Sequence, residues 1–575
     1  MTTELLTGNE AIARGAFEGG VSFAAGYPGT PSTEILETVA EKYKDTIFAE
    51  WSPNEKVAFE VAAGASHAGA RVLVTMKHVG LNVAADSLTA LSYIGVVGGY
   101  VAVVADDPGM HSSQNEQDTR HYAKLAKVPL LEPSDSQEAK EFVKLALQIS
   151  EQYNTPVLLR TTTRIAHSRS LVKIEEPFIP LGELRFVKNP AKYFISNPIW
   201  AKEMRQRVED RIVQLSADSK KLSVNSIEWK NKDIGIITSG VAYQYVREVF
   251  PNFSVLKIGM SFPFPDVEIE EFADEIKQIF VIEESDDFLE EHIKSLGIPC
   301  RGKELIPRIG ELSPDILEQC LTGKVKKHCF IPYELPSRPP VFCSGCPHRG
   351  IFYVLGKLDV IVTGDIGCYA LGASPPLSRM DTILCMGGGI TMAHGIDKAQ
   401  RNTKEKQKIV GIMGDSTFFH SGITGLMDIA YNKSGATIII TDNRITAMTG
   451  HQENPGSGHT LMGESTIALS IEDFGKACGI KNIKYINPYD IEQTTQVLKE
   501  ASDSLQTYLI ISRASCPLHL GQRLGEPFSI DKTKCRKCGL CLQLGCPSIE
   551  KVDDSICINS LLCVGCGICR TVCPA

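Results

Sequence analysis

Half of the chain's 18 cysteines lie in its last 41 residues, and eight of those nine fall into two repeated spacings. The first runs Cys535-x2-Cys538-x2-Cys541-x4-Cys546-Pro547, the second Cys563-x2-Cys566-x2-Cys569-x3-Cys573-Pro574. Three thiolates two residues apart can wrap three corners of one [4Fe-4S] cube, and the cysteine before proline crosses to the other cube. Spacing therefore assigns Cys535, Cys538, Cys541 and Cys573 to one cluster, and Cys563, Cys566, Cys569 and Cys546 to a second. Zinc also uses C-x2-C pairs, but it needs two such pairs and would leave the third cysteine of each triplet idle. Leu542 to Gly545 lengthens the usual loop by one residue, which ligation can absorb, and Cys557 fits neither quartet and reads as a buried thiol.

At 575 residues and 43% hydrophobic content the chain is too long for one core, and about 150 residues per domain predicts three or four domains. The longest apolar stretch, Ile94 to Ala105, is interrupted by glycines and closed by Asp106-Asp107, so it reads as a buried strand with its neighbour, not a membrane span. The start Met1-Thr2-Thr3-Glu4 lacks the basic opening and apolar run of a secretory signal. The expectation is a cytoplasmic protein whose cysteines are thiolates or cluster ligands. A net charge of -9 argues against non-specific binding to nucleic acid.

Strand-like runs alternate with helical ones through most of the chain, which predicts an α/β fold of parallel sheets covered by helices on both faces. The expected organisation is an α/β domain over 1–180, a linker with a surface helix over 181–232, a smaller α/β domain over 233–335, a third α/β domain over 336–526 and a two-cluster domain over 527–575. Strands are predicted at 71–75, 101–105 and 157–160 in the first unit, 233–238 and 278–282 in the second, and 360–363, 382–386, 408–413, 436–441 and 508–513 in the third. The stretch Lys202 to Lys221 has helical composition without a clear apolar face, and a Pro-rich link, Ile331 to Pro340, leads into the third domain.

The strand ending in Gly414-Asp415-Ser416, the helix Ile423 to Lys433 and the strand ending in Asp442-Asn443 form a βαβ crossover. Such a crossover puts both strand tips on the sheet edge where α/β folds bind ligands. Asp415 and Asn443 thus converge, and oxygen ligands with a diphosphate make a suitable shell for Mg2+. The pattern resembles the thiamine diphosphate motif, and by that resemblance the third protein ligand is the carbonyl of Ile445. Gly387-Gly388-Gly389 after a strand could let the backbone approach a diphosphate, and Thr446 to Gln452, with Thr449, frames the same site.

In such an enzyme the cofactor's own amino group is the base, and the protein supplies one glutamate that promotes the active tautomer. Glu55, opening the Ala- and Gly-rich helix after Asn54, is the candidate, with Glu60 as runner-up.

Taken together these residues resemble the 2-oxoacid:ferredoxin oxidoreductases, and within them the large (alpha) subunits that act on indolepyruvate. The most specific pieces are Tyr27-Pro28-Gly29-Thr30-Pro31-Ser32, Met76 to Asn82, Ser112 to Asp118, Cys343-Ser344-Gly345-Cys346-Pro347-His348-Arg349 and Gly364 to Tyr369. The resemblance implies a pyrimidine-binding domain, a transketolase-C-like domain, a diphosphate-binding domain and a two-[4Fe-4S] ferredoxin domain. It also implies a smaller beta subunit in an alpha2-beta2 complex and oxidative decarboxylation of an aryl 2-oxoacid to an aryl-acetyl-CoA and CO2. Coenzyme A takes the acyl group and ferredoxin the electrons. By similarity Thr30 and Arg120 lie near the substrate carboxylate or ketone, where a hydroxyl and a guanidinium suit an anion. Two readings of Cys343, Cys346, Cys368 and Cys516 stay open: a third cluster beside the thiamine, or small polarizable residues packed round it, with Cys346 and His348 in catalytic contact. A non-oxidative 2-oxoacid decarboxylase and a non-catalytic electron-transfer subunit are the rival functions.

Overall fold

The computed structural model describes residues 2–179, 184–325 and 339–575. The chain divides into two compact units, 1–332 and 333–575. The link expected at 331–340 lies outside the described residues except for its last two.

The first unit is built on a seven-stranded sheet in the order Met260–Phe262, Leu130–Leu131, Val157–Thr162, Tyr100–Asp106, Val72–Lys77, Phe23–Gly26 and Phe48–Trp51, parallel but for the first strand. Its three central strands are buried at every residue. Continuous Val, Leu and Ala runs suit strands covered on both faces. The stretch Ile94 to Ala105 closes one helix and supplies most of a strand, as its glycines and terminal aspartates suggested. A second sheet of five strands orders Cys300–Arg301, Gln278–Ile282, Asn231–Ser239, Phe253–Ile258 and Ser226–Glu228. Ile237, Leu256 and Phe272 from this region share one apolar core with Val74, Ala102 and Leu130 of the first sheet.

The polar stretch after the first sheet contains the helix Pro198–Asp218, which is no bare surface helix. Met204, Val208, Arg211 and Leu215 are buried along one stripe, at the spacing of a single helix face. The stripe is hard to read because one member is Arg211, whose guanidinium donates to the carbonyls of Ser92 (3.0 Å) and Asn154 (3.1 Å). These carbonyls close the C-terminal ends of the helices His78–Ile94 and Ser136–Tyr153, where a cation complements the negative end of the dipole.

The second unit holds a six-stranded, wholly parallel sheet in the order Thr382–Ile383, Ile361–Gly364, Ile409–Gly414, Thr437–Asp442, Tyr508–Arg513 and Asn482–Ile486. The strand expected over 382–386 stops at Ile383 because the chain turns there into Gly387, which has φ 89°. The C-terminal segment has only a hairpin, Ile549–Val552 with Ser555–Ile558, and short helical turns. Arg349 fastens it from within, donating to the Leu544 carbonyl (2.5 Å) and to the carbonyls of Phe342 (2.7 Å) and Cys343 (2.9 Å). Among the described residues no helix is long and apolar enough to cross a membrane.

Candidate active site and metal centres

The crossover in the second unit brings its two acid and amide residues together. Gly414 pairs with Thr441 in register, so the residues just past both strand tips meet at one sheet edge. The side-chain terminus of Asn443 lies 2.7 Å from the Ile445 carbonyl oxygen and 3.1 Å from Asp415 Oδ1. The Ile445 N–H donates to the Asn443 Oδ1 at 3.3 Å. With the amide nitrogen turned toward them, Asn443 donates to both oxygens; with its oxygen turned inward, the side chain, Asp415 and the Ile445 carbonyl make an all-oxygen set of the kind that suits Mg2+. Burial, then the charge of Asp442, pushes Asp415 up to about 7, which a bound cation would reverse.

Neighbours keep this set in place. Asn454 Nδ2 donates to Asp415 Oδ2 at 3.1 Å. Asp442 is drawn aside by Arg513 Nε at 2.6 Å, leaving Asn443 as the residue that faces Asp415. Thr446 donates to Ser416 Oγ at 2.9 Å, joining the two loops, and Thr449 donates to Gln452 Oε1 at 2.5 Å.

The glycine turn has a role that its sequence does not reveal. The amides of Gly387 and Gly389 donate to the two oxygens of Asp365 at 3.2 and 2.8 Å, and Gly388 donates to the Cys385 carbonyl at 2.9 Å. These N–H groups are therefore committed inside the turn, and what the glycines offer a diphosphate is close approach. A side chain at Gly387 would meet Ser421 Cβ at 2.6 Å, and one at Gly389 would meet the Gly364 and Ile412 carbonyls at 2.9 Å. Asp365, wholly buried and pushed up to about 7 by burial, was visible beforehand only as part of a longer motif.

All twelve cluster candidates gather in three groups. One cavity is lined by Cys535, Cys538, Cys541 and Cys573, with Cys569 on its wall. Its neighbour is lined by Cys546, Cys563, Cys566 and Cys569. The crossing of Cys546 and Cys573 between triplets is thus present in the geometry. Cys343, Cys346, Cys368 and Cys516 form the third group: burial raises the Cys368 thiol to about 11, and the charges of Cys516 and Cys343 add to it. Cys557 is half-buried and lines neither cavity. His348 lies against Tyr369, with ring centroids 6.0 Å apart, and burial pulls its imidazole down to about 4, so it is neutral at physiological pH.

In the first unit Glu55 is 5% exposed and opens the helix Glu55–His67, which Asn54 caps by accepting from the Val57 N–H at 2.9 Å. Glu60 lies on the outer face of that helix, paired with exposed Lys56 and accepting from Ser87, so burial singles out Glu55. A methyl added at Gly80 would lie 2.6 Å from Glu55 Cγ and Oε1. Gly80→Ala should therefore displace the carboxylate and lower turnover about tenfold or more, with unchanged far-UV circular dichroism.

Arg120 does not take the place expected of it. It is wholly buried, bonded bidentately to Asp118 (2.9 and 2.5 Å) and to Glu283 (2.5 Å), and it donates also to the carbonyls of Glu284 and Asp286. Its donors are consumed by two carboxylates, so it locks loops together and offers nothing to a substrate anion. The cation that does sit by the Thr30 loop is Lys77, which the sequence reading missed. Its Nζ donates to the Ser112 carbonyl at 2.7 Å, and Ser112 Oγ donates to the Thr30 carbonyl at 3.2 Å. Burial pulls Lys77 down to about 8, against the nearby charge of Asp107.

Residues 14–196 match the family model for pyruvate flavodoxin/ferredoxin oxidoreductase, thiamine diphosphate-binding, and residues 365–512 match the C-terminal TPP-binding domain of thiamine pyrophosphate enzymes. The indolepyruvate oxidoreductase subunit IorA of Methanothermobacter marburgensis is 41% identical over 99% of this chain and 96% of its own length. That of Pyrococcus horikoshii is 40% identical over the same shares. A solved 2-oxoglutarate:ferredoxin oxidoreductase from Magnetococcus marinus aligns over 55% of this chain and 64% of that one, with a TM-score of 0.44 and 16% identity. Fold, site and matches define a thiamine-diphosphate-dependent oxidoreductase of the 2-oxoacid:ferredoxin class. Within that class the chain belongs to the family of indolepyruvate oxidoreductase IorA subunits.

Proposed function

We propose that this chain is the catalytic subunit of an enzyme that converts aryl pyruvates, indolepyruvate among them, to aryl-acetyl-CoA and CO2, passing electrons through [4Fe-4S] clusters to ferredoxin. The observation that carries this reading is the meeting of Asp415, Asn443 and the Ile445 carbonyl at two adjacent strand tips. When bound, thiamine diphosphate supplies the carbon nucleophile and electron sink for decarboxylation, and the clusters supply one-electron acceptors.

The protein's part follows from its side chains. Asp415, Asn443 and Ile445 would hold Mg2+, with Gly387, Gly388, Gly414, Ser416 and Thr449 around the diphosphate. Glu55 would bind the pyrimidine ring nitrogen by a charge-assisted hydrogen bond in a buried setting, where such bonds are strong. Thr30 offers a hydroxyl to the substrate, and Lys77 takes over the anion-binding task expected of Arg120. His348, neutral, can exchange hydrogen bonds without adding charge. Cys535, Cys538, Cys541 and Cys573 would hold one cluster, Cys563, Cys566, Cys569 and Cys546 a second, and Cys343, Cys346, Cys368 and Cys516 a third beside the thiamine. Iron analysis should then give about twelve irons per chain in place of about eight.

A smaller beta subunit, an alpha2-beta2 assembly, coenzyme A as acyl acceptor and a cytoplasmic setting complete the reading, supported by the family. The test is anaerobic turnover of the complex with coenzyme A and ferredoxin on indolepyruvate, phenylpyruvate and pyruvate. Preference for the aryl substrates is expected; preference for pyruvate would overturn the substrate assignment, and free aldehyde without ferredoxin reduction would overturn the oxidative chemistry.

A further inference from the structure

We infer that the cleft walled by Lys192, Arg207 and Arg211, on the side of the first unit away from the candidate active site, binds a phosphate group, either free or carried as the ester of a small metabolite. This goes beyond the function proposed above and does not depend on it.

The cleft has a volume of about 260 Å³ and opens where the helix Pro198–Asp218 passes the short helix Pro190–Tyr193 and the turns at Gly95 and Asn154. Those turns lead into the strands Tyr100–Asp106 and Val157–Thr162, so the cleft lies at the N-terminal edge of the first sheet. Thr30 follows one strand and Lys77 ends another at the opposite edge, a strand's length of about 20 Å away. The two sites are separate.

Positive charge gathers in this cleft without a counterion. Arg211 is 8% exposed, and its Nη atoms donate only to neutral oxygens, the carbonyls of Ser92, Lys127 and Asn154 and the Ser92 hydroxyl. Its buried Nε has no hydrogen-bond partner among the described residues. Lys192 Nζ donates to the Val96 carbonyl at 2.7 Å, which leaves two of its three hydrogens for another acceptor. Among the described residues none of the three cations has a carboxylate oxygen within 4.0 Å. Burial, then the charge of Arg207, pulls Lys192 below its ordinary value and Arg211 down to about 10. The cations thus repel one another, and an anion between them would relieve that repulsion.

Charge, donors and size select the anion. Three cations and one carboxylate, Glu203, line the cleft, and the surplus of two positive charges matches a phosphate of about -1.5 to -2 at neutral pH. Guanidinium forks and an ammonium suit phosphate oxygens. The volume falls just below the roughly 300 Å³ at which sites for drug-sized ligands begin, so the cleft takes an ester of a few carbons and not a nucleotide. A rival account makes Arg211 only the cap of two helix ends. Capping explains its Nη bonds, but not the unpaired Arg207 and Lys192 gathered beside it.

Equilibrium dialysis of labelled inorganic phosphate and of glycerol 3-phosphate against the intact complex separates these accounts. The complex is first loaded with thiamine diphosphate and Mg2+ and freed of excess, so that the diphosphate site is filled. We expect saturable binding of one molecule per chain with a Kd of about 1 mM or below. Lys192→Ala with Arg207→Ala should weaken it about tenfold or more; Lys192 is half-buried, Arg207 is exposed and Arg211 stays, so the packing is kept. Lys202→Ala, an exposed cation on the same helix that does not line the cleft, should bind as wild type does. Tighter binding of glycerol 3-phosphate would assign the site to an ester, and tighter binding of inorganic phosphate to the free ion. No saturable binding of either probe below about 10 mM, binding that survives the double substitution, or equal weakening by Lys202→Ala would overturn the inference. Binding and not turnover is read, so the outcome stands whether or not the proposed catalysis does.

Discussion

Glu55→Gln in the assembled enzyme will lower turnover by about 10²- to 10⁴-fold while thiamine diphosphate content and iron content stay as in the wild type. Glutamine keeps the volume and the first-turn position beneath the Asn54 cap, so the helix and its burial survive. It removes the carboxylate proposed above to promote the imino tautomer of the pyrimidine. Because the group is only 5% exposed, water cannot substitute for it, and the lost bond is one made in a low dielectric. The decisive readout is exchange of the thiazolium C2 proton by NMR after acid quench, which should slow in step with turnover. Glu60→Gln, on the outer helix face beside Lys56, should leave both unchanged. Equal exchange rates in wild type and Glu55→Gln would remove Glu55 from the mechanism.

The second large effect concerns stability. Arg120→Met should destabilise the first unit by about 3–5 kcal/mol, because removing one member of a buried ion pair leaves the others charged and unpaired. Here the others are Asp118 and Glu283, both buried. Burial would raise the Asp118 carboxyl, but the guanidiniums of Arg120 and Arg160 outweigh it and hold the carboxyl well below its ordinary value. A depressed carboxyl stabilises the fold above its unfolded value of about 3.9 and loses that contribution as pH falls further. Wild type should therefore lose this stabilisation below about pH 4, and the variant should lack it at neutral pH. Chemical denaturation followed by circular dichroism measures the shift. A variant with wild-type stability and a raised KM for 2-oxoacid would restore Arg120 to the substrate site.

Much of this site was legible because its signals are local. The quartets are spelled by cysteine spacing, and Gly414-Asp415 with Asp442-Asn443 by strand, turn and crossover. Parallel pairing then places the tips in register without further information. The limits arose where a residue's partners are far away in sequence. The resemblance places Arg120 at the substrate anion, and nothing nearby in sequence announces Glu283, 163 residues on. Lys77 was passed over because a lysine ending a strand is ordinary until burial and Ser112 define it. Arg211 hid the buried face of its helix, a cation where an apolar residue was sought. The Gly387 turn revealed its glycines but not Asp365, which holds them from another strand.

The claim on which the rest depends is that Asp415, Asn443 and the Ile445 carbonyl clasp a divalent cation carrying the cofactor's diphosphate. Equilibrium binding of thiamine diphosphate to the complex, with Mg2+ and after chelation, tests it in wild type and Asp415→Ala. One molecule per chain should bind with Mg2+ and be lost on chelation, and Asp415→Ala should bind at least about a hundredfold more weakly. Tight binding that ignores both magnesium and Asp415 would contradict the account.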